Sequence, residues 1–296
     1  MRQPPPSSDV LIRLSDWQRL ALPALRQAPP PPAGRNDVTA LAYFFWDDAR
    51  IDSLFYTVES AFRMTWRCCG RQPSVLVTNR ATPAMQAFCA ETGVTLDVDP
   101  TLTGGVPRMN LDCIRHLHRR FATEYVLIVQ SDGFPLRSGL DAFVGPYDYV
   151  GAPWLPPSWY TRLLFPPARY SVGNGGLTLR SRRICEQAAW HYQRRYKWLP
   201  YCWFLVDDVF YARVLPRFER SYRQTMRFAS PVTAARFSFE ANESALAASG
   251  NTLPFGFHSS SGFQRLQALF PADFPRFAGA DAAQTGTSSL PSRIPA

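Results

Sequence analysis

Four groups of polar residues, met in chain order, are of types that together suit a metal-bound phosphate and a reacting hydroxyl. The first closes an apolar run: Tyr125-Val126-Leu127-Ile128-Val129 passes into Gln130-Ser131-Asp132-Gly133, so the Asp132 carboxylate stands where a buried strand meets solvent. A divalent cation and a phosphate can share such a position. Alone, Asp-Gly is an ordinary turn signal. The second group is Gly173-Asn174-Gly175-Gly176, in which three glycines permit close approach of backbone to a ligand; a bulged strand or a tight hairpin explains them equally well. The third is Asp207-Asp208, set between Trp203-Phe204-Leu205-Val206 and Val209-Phe210-Tyr211-Ala212. Asp207 is placed to cap the helix that follows. The helix dipole would keep Asp208 ionised near neutral pH, the state a general base needs, although two capping carboxylates without chemistry explain the pair as well. The fourth is His258, after Leu253 to Phe257 and before three serines, a neutral imidazole suited to Mn²⁺ beside carboxylate and phosphate oxygens.

These groups need elements to carry them. Val38 to Phe45 reads as a buried strand, and Ile51, Leu54, Phe55, Val58 and Phe62 follow at helical spacing. Ser74 to Thr78 and Val94 to Val98 are further strands. Between them lies a helix over Thr82 to Glu91, capped by Thr82 with Pro83 at its first position. Ile114, Leu117 and Phe121 give the next helix an apolar face leading into Tyr125 to Val129. Alternation of this kind predicts an α/β fold with a mostly parallel central sheet and flanking helices, and it sets Gln130, Ser131 and Asp132 at the carboxyl end of a central strand, where open α/β sheets bind ligands. Beyond Asp132 the alternation stops. Tyr147 to Trp154 is followed by a proline- and aromatic-rich loop to Tyr170. Val172 to Leu179 is a glycine-interrupted strand, Arg182 to Tyr196 a helix and Trp203 to Val206 a short strand, giving a mixed C-terminal half.

The 296 residues are 46% apolar, enough for one large packed domain. Residues 1–35 carry proline runs at Pro4 to Pro6 and Pro29 to Pro32 around a short amphipathic turn at Leu11 to Leu14. They are expected to be disordered, as is the Ala-, Ser- and Thr-rich tail 271–296, leaving residues 36–270 as the folded domain. The net charge of +9 comes almost wholly from scattered arginines, with Lys197 the only lysine; no dense basic stripe points to nucleic acid. The six cysteines lack zinc-ligand spacing and are read as reduced. With no signal-like N-terminus and no apolar run of about 20 residues, the expected compartment is the cytoplasm, with the inner membrane surface as a further place of action. His116, His118 and His191 are expected at the surface. Trp190 to Trp203, with Arg194, Arg195 and Lys197, is either a membrane-surface or acceptor-contacting patch or an amphipathic helix leading into a loop.

In combination, the blocks YVLIVQSDGF (Tyr125 to Phe134), YDYVGAPW (Tyr147 to Trp154), VGNGGLTLR (Val172 to Arg180), VDDVF (Val206 to Phe210), Phe237 to Glu240 and PFGFH (Pro254 to His258) resemble a family of proteins with a domain of unknown function that is similar to GT-A glycosyltransferases, and more distantly inverting β-1,3-glycosyltransferases. The resemblance implies a GT-A-like single domain and transfer of a sugar from a nucleotide-sugar donor, with a uridine diphosphate sugar expected, to a hydroxyl of a glycan, lipid or protein acceptor, with inversion. It implies Mn²⁺ or Mg²⁺ held by Asp132 and His258, and Asp208 as catalytic base. Asp207 stands in place of a glutamate. Gln130, Ser131, Asn174, Gly175, Gly176, Asp207 and Trp154 would line the donor and acceptor cleft. Gln130 stands where an acidic residue often occurs and brings no charge to a metal. That substitution keeps a second reading open, a GT-A-like sugar- or partner-binding module without turnover. The turn Trp46-Asp47-Asp48 carries no readable nucleoside fingerprint, so Asp47 and Asp48 are only guesses as uridine contacts.

Overall fold

The computed structural model describes residues 11–46, 48, 50–154 and 172–277. Residues 1–10 with Pro4 to Pro6, Asp47, Ala49, residues 155–171, where an aromatic loop is expected, and the tail from 278 lie outside the described residues. The expected β-α alternation is present: β1 (Val38–Tyr43), α2 (Arg50–Cys69), β2 (Ser74–Thr78), α3 (Pro83–Thr92), β3 (Thr95–Val98), α4 (Val106–Arg115) and β4 (Tyr125–Val129), with a helix α1 (Leu14–Gln27) ahead of them. The strands β5 (Tyr149–Pro153) and β6 (Val172–Ser181) complete a six-stranded sheet in the order β3-β2-β1-β4-β6-β5. Strands β1 to β4 pair in parallel, and β6 runs antiparallel between β4 and β5. Every residue of β1, β2, β4 and β5 is buried, which is why these strands read as unbroken apolar runs rather than as alternation.

The chain leaves β1 for β2 and β3 on one side and returns to β4 on the other. The carboxyl ends of β1 and β4 therefore flank the switch point at which open α/β sheets hold ligands. Helix α3 is capped as its sequence indicates, the Thr82 hydroxyl accepting from Met85 N–H, with Gly93 left-handed at φ 66° just past its end.

Four expectations are corrected. Residues 14–27 are not disordered but form α1, whose Leu14, Trp17, Ala21 and Leu25 pack in one apolar cluster with Phe134, Phe257, Phe263, Phe274 and Phe277. The proline runs flank that helix instead of dissolving it, and its single internal proline, Pro23, is tolerated without ending it. The first residues of the expected disordered tail are also folded, since Phe274 and Phe277 are buried against Trp17 and Phe263. Trp203–Leu205 is a 3₁₀ turn, not a strand; aromatic composition alone mimicked a strand there. The helix α5 (Arg182–His191) runs on as a wider π turn, Tyr192–Tyr196, much as expected. His191 is buried, not on the surface, with Nδ1 3.3 Å from the buried Glu219 carboxylate.

Candidate active site

The end of β4 is locked before it can carry chemistry. Gln130 and Gly133 exchange backbone hydrogen bonds of 2.7 and 3.1 Å, closing a tight turn around Ser131 and Asp132. The α1 residue Gln18 donates from its amide to Ser131 O at 2.6 Å and to Thr57 O at 3.2 Å, so the N-terminal helix fixes this turn from outside the sheet. Asp132 O in turn accepts from Ser259 N–H at 2.8 Å. Ser259 caps helix α6 (Ser260–Leu269) from a left-handed φ of 74°, and the short strand pair β7 (Ser238–Phe239) and β8 (Gly256–Phe257) lies just before it.

That two-stranded pair sets the geometry of His258. Parallel register of Phe239 with Phe257 puts Glu240 and His258, each one residue further on, side by side. The imidazole Nδ1 lies 3.3 Å from Glu240 Oε1 and Nε2 lies 3.9 Å from Asp132 Oδ1, so the ring sits between two carboxylates with its two nitrogens facing different ones. Burial works against the charged imidazolium, but the Glu240 carboxylate, helped by Asp132 and Asp208, outweighs it and raises the His258 pKa above its ordinary value. Asn174 donates to Glu240 from its amide nitrogen and accepts from Gly176 N–H at 3.1 Å, tying the glycine segment to the same group.

The glycines separate the two halves of the site. A Cβ on Gly176 would fall 1.7 Å from the His258 ring, and one on Gly133 would meet Gly176 O at 2.7 Å. At the next residue back, a Cβ on Gly175 would stand 3.4 Å from Asp207 Oδ1 and 3.5 Å from Asp208 Cβ. Neighbouring glycines thus face the imidazole on one hand and the paired aspartates on the other. The Gly173 position is covered by the Trp154 indole, over which the Arg213 guanidinium stacks at 3.8 Å; Asn242 holds Trp154 O at 2.6 Å.

The two aspartates are not equivalent, and their roles differ from those expected. Asp207 is bound by the fully buried Arg180 at 2.5 Å and is the structural member. Arg180 is stacked between Tyr149 and Tyr211 at 5.3 and 4.6 Å, and two of its nitrogens have no hydrogen-bond partner. Asp208 Oδ1, not Asp207, takes the helix-end hydrogen bond, from Val209 N–H at 2.7 Å. Nor is Asp208 held ionised by the helix end. Burial first, and the adjacent Asp207 second, push its carboxyl up to about 7, against the opposing pull of the Val209 and Gly175 N–H groups and Arg180.

Asp132 and His258 fit a divalent cation as an incomplete set. One carboxylate oxygen and one imidazole nitrogen converge, and no group of three or more His, Cys, Asp or Glu side chains that could hold a metal occurs among the described residues. Two protein ligands leave room for water and substrate phosphate, the usual habit of Mg²⁺-type sites. A cavity of about 380 Å³ adjoins Asp132 and Ser131, walled by Phe44 and Trp46 from the end of β1, Leu54 of α2 and Gln18 of α1. Asp48 is paired with Arg50 at 2.8 Å and does not line that cavity. A larger cavity of about 730 Å³ lies between Pro29 to Pro32 and the end of α2, away from every residue of the cleft.

Asp132, His258, Asn174, Gly175, Gly176, Asp207, Asp208 and Trp154 are therefore brought together, and Ser131 contributes its backbone. Glu240, Arg180 and Gln18 were missed. Glu240 lay inside a recognised block without a role, Arg180 at the end of another, and Gln18 in the stretch expected to be disordered.

Residues 107–258 match the profile of the family described as protein of unknown function DUF5672. No curated protein matches the chain. Among solved structures, it is similar to the apo form of the glycosyltransferase GlyE of Streptococcus pneumoniae, with 13% identity, TM-score 0.42 and coverage of 76% of this chain and 54% of that one. It is similar also to the mannosyltransferase PcManGT of Pyrobaculum calidifontis, solved with GDP-Man and Mn²⁺, at 13% identity and TM-score 0.40, covering 88% of this chain and 78% of that one. An active-site variant of LgtC aligns at 14% identity and TM-score 0.47, covering 83% and 99%. The chain spans about half the length of GlyE.

Proposed function

Starting from the fact that the chain belongs to the DUF5672 family of proteins of unknown function, we propose that its cleft transfers a sugar from a nucleotide-sugar donor to an acceptor hydroxyl, with inversion at the anomeric carbon. The observation that carries this reading is the placement of Asp132 and His258 on one side of Gly175-Gly176 and of the half-buried Asp208, next to Asp207, on the other. One side suits a diphosphate and the other a hydroxyl about to lose its proton.

In that arrangement the donor nucleoside occupies the cavity beside Trp46, where the indole offers a face for the base. Asp132 and His258 would hold Mn²⁺ or Mg²⁺, which when bound supplies positive charge against the departing diphosphate. The glycine backbone at 175 and 176 lets the sugar lie close between the two halves. Asp208 accepts the acceptor proton as the hydroxyl oxygen forms its bond to the anomeric carbon; the bond from that carbon to the diphosphate oxygen breaks, and the nucleoside diphosphate leaves with the electron pair. A carboxyl poised near neutrality is a better base than an ordinary surface aspartate, because its conjugate acid is weaker. Arg180 and Asp207 keep the loop that carries Asp208 in place without touching substrate.

A second reading, a sugar-binding module without turnover, is favoured by Gln130, which leaves Asp132 as the only carboxylate at the end of β4. The test is turnover measured as release of nucleoside diphosphate from UDP- and GDP-sugars with Mn²⁺, beside calorimetric binding of the same donors. Binding and turnover in the unaltered protein, with turnover alone lost in Asp208→Asn, supports transfer. Binding without turnover for every donor and acceptor tried supports the module. Absence of any nucleotide binding would remove the transfer reading.

A further inference from the structure

The turn after α5 presents an unusual surface. Of the ten large apolar side chains exposed among the described residues, four fall within residues 190–201: Trp190 at 50%, Trp198 at 81%, Leu199 at 44% and Tyr201 at 39% exposure. Exposed cations are threaded between them. Arg194 lies over the Trp190 ring at 4.7 Å and Lys197, the only lysine of the chain, over the Trp198 ring at 4.7 Å. Exposed tryptophans occur singly on many proteins; here aromatic and cationic groups share one protruding turn.

This turn is mounted rigidly. Tyr196 packs edge-on against Phe210 at 5.2 Å and donates its hydroxyl to Glu219 at 3.0 Å, and Asn110 of α4 donates to the Tyr201 hydroxyl at 2.8 Å. Glu219 is buried and already engaged by Arg195 at 3.1 Å and by Tyr196, and Arg194 and Lys197 form no ion pair among the described residues. The apolar tips project while the charges stand at their level. Protein interfaces share the tryptophan, tyrosine and arginine of this turn but are depleted of lysine, which here stands between Trp190 and Trp198. Indole, leucine and phenol groups beside long basic chains instead match the headgroup layer of a bilayer, where rings sit at the interface and cations meet lipid phosphates.

We infer that residues 190–201 form a docking turn for a membrane surface carrying anionic lipid. Trp198 and Leu199 enter the headgroup boundary, and Arg194 and Lys197 bind the phosphates. Along the chain the turn is followed by Trp203–Leu205 and then by Asp207 and Asp208. No helix among the described residues is long and apolar enough to cross a membrane, so the contact is peripheral.

The inference does not rest on the sugar-transfer reading, because its test needs neither donor nor acceptor. The full chain is sedimented with vesicles of phosphatidylglycerol and phosphatidylcholine and, separately, of phosphatidylcholine alone. Expected are binding to the anionic vesicles only, weakening with added salt, and loss of most of it in the double variant Trp198→Ser/Leu199→Ser. Lys197→Gln and Arg194→Gln are each expected to weaken binding about fivefold. All these side chains are exposed, and an unchanged thermal midpoint verifies that the variants fold. No sedimentation with either vesicle, or sedimentation unaltered in the double variant, overturns the inference. So does self-association by light scattering that Trp198→Ser abolishes in a protein that ignores vesicles, which would assign the turn to a second copy of the chain.

Discussion

Asp208 owes its chemistry to what surrounds it rather than to its identity. Its carboxyl is raised to about 7 by burial and by Asp207, so between the ordinary aspartate value and about 7 the folded protein binds a proton that the unfolded chain does not. Stability contributed by that proton is greatest at low pH and is lost as pH rises through about 7. Asp208→Asn removes the titration, so the variant's thermal midpoint should gain on that of the unaltered protein as pH is raised from about 5 to about 8. A variant whose midpoint tracks the original at every pH would contradict the raised carboxyl. On the proposed reaction, turnover should rise with pH along an acid limb near 7, and Asp208→Asn should lower it by at least about 100-fold, with donor binding retained by calorimetry. His258 carries the same constraint. Its pKa is raised by Glu240, and a protonated imidazole cannot ligate, so Mn²⁺ affinity measured by electron paramagnetic resonance should climb as pH passes upward through that raised value. A pH-independent affinity would remove His258 from the ligand set. The sequence exposed Asp208 and His258 because each interrupts an apolar run. It hid Glu240 and Arg180, whose roles depend on strand register and on burial that no local pattern encodes.

At the scale of elements, the glycine segment of β6 is where sequence and structure agree most closely and where substitution discriminates best. Gly176→Ala would drive a methyl group onto the His258 ring, and relief requires moving either a paired strand or the imidazole. A loss of about 1–3 kcal/mol in denaturant unfolding is expected, together with loss of Mn²⁺-dependent donor binding. Gly175→Ala meets Asp207 and Asp208 only at ordinary contact distance and should cost less than about 1 kcal/mol. Equal effects of the two changes would mean that the approach of Gly176 to His258 is not what shapes the cleft. Strands β1, β2 and β4 were legible to within a residue or two because they are buried on both faces and bounded by clear turns. Helix α1 was not. Its apolar stripe gains its burial from non-local partners, Ala61 and Met64 of α2 and Phe263, Phe274 and Phe277 far along the chain, while the flanking prolines argued locally against order.

For the molecule as a whole, α1 and α6 act as one clasp over the back of the turn that bears Asp132. Trp17 stacks on Phe134 at 5.9 Å and meets Phe263 and Phe277 edge-on at 5.5 and 5.3 Å. Trp17→Ala should remove about 3–5 kcal/mol of stability. In the folded remainder it should also weaken donor binding, since Gln18 would no longer be held against Ser131. Binding unchanged in a destabilised Trp17→Ala protein would separate the clasp from the site. The clasp also imposes an order of events. Strands β1 to β6 leave the ribosome before Phe263, Phe274 and Phe277 exist as folded partners for Trp17, and closure of that contact spans nearly the whole described chain. Non-local closures of this kind form late. The turn bearing Asp132 is therefore finished only when synthesis has almost ended, and a nascent chain stalled before α6 would hold a complete sheet with that turn still unset.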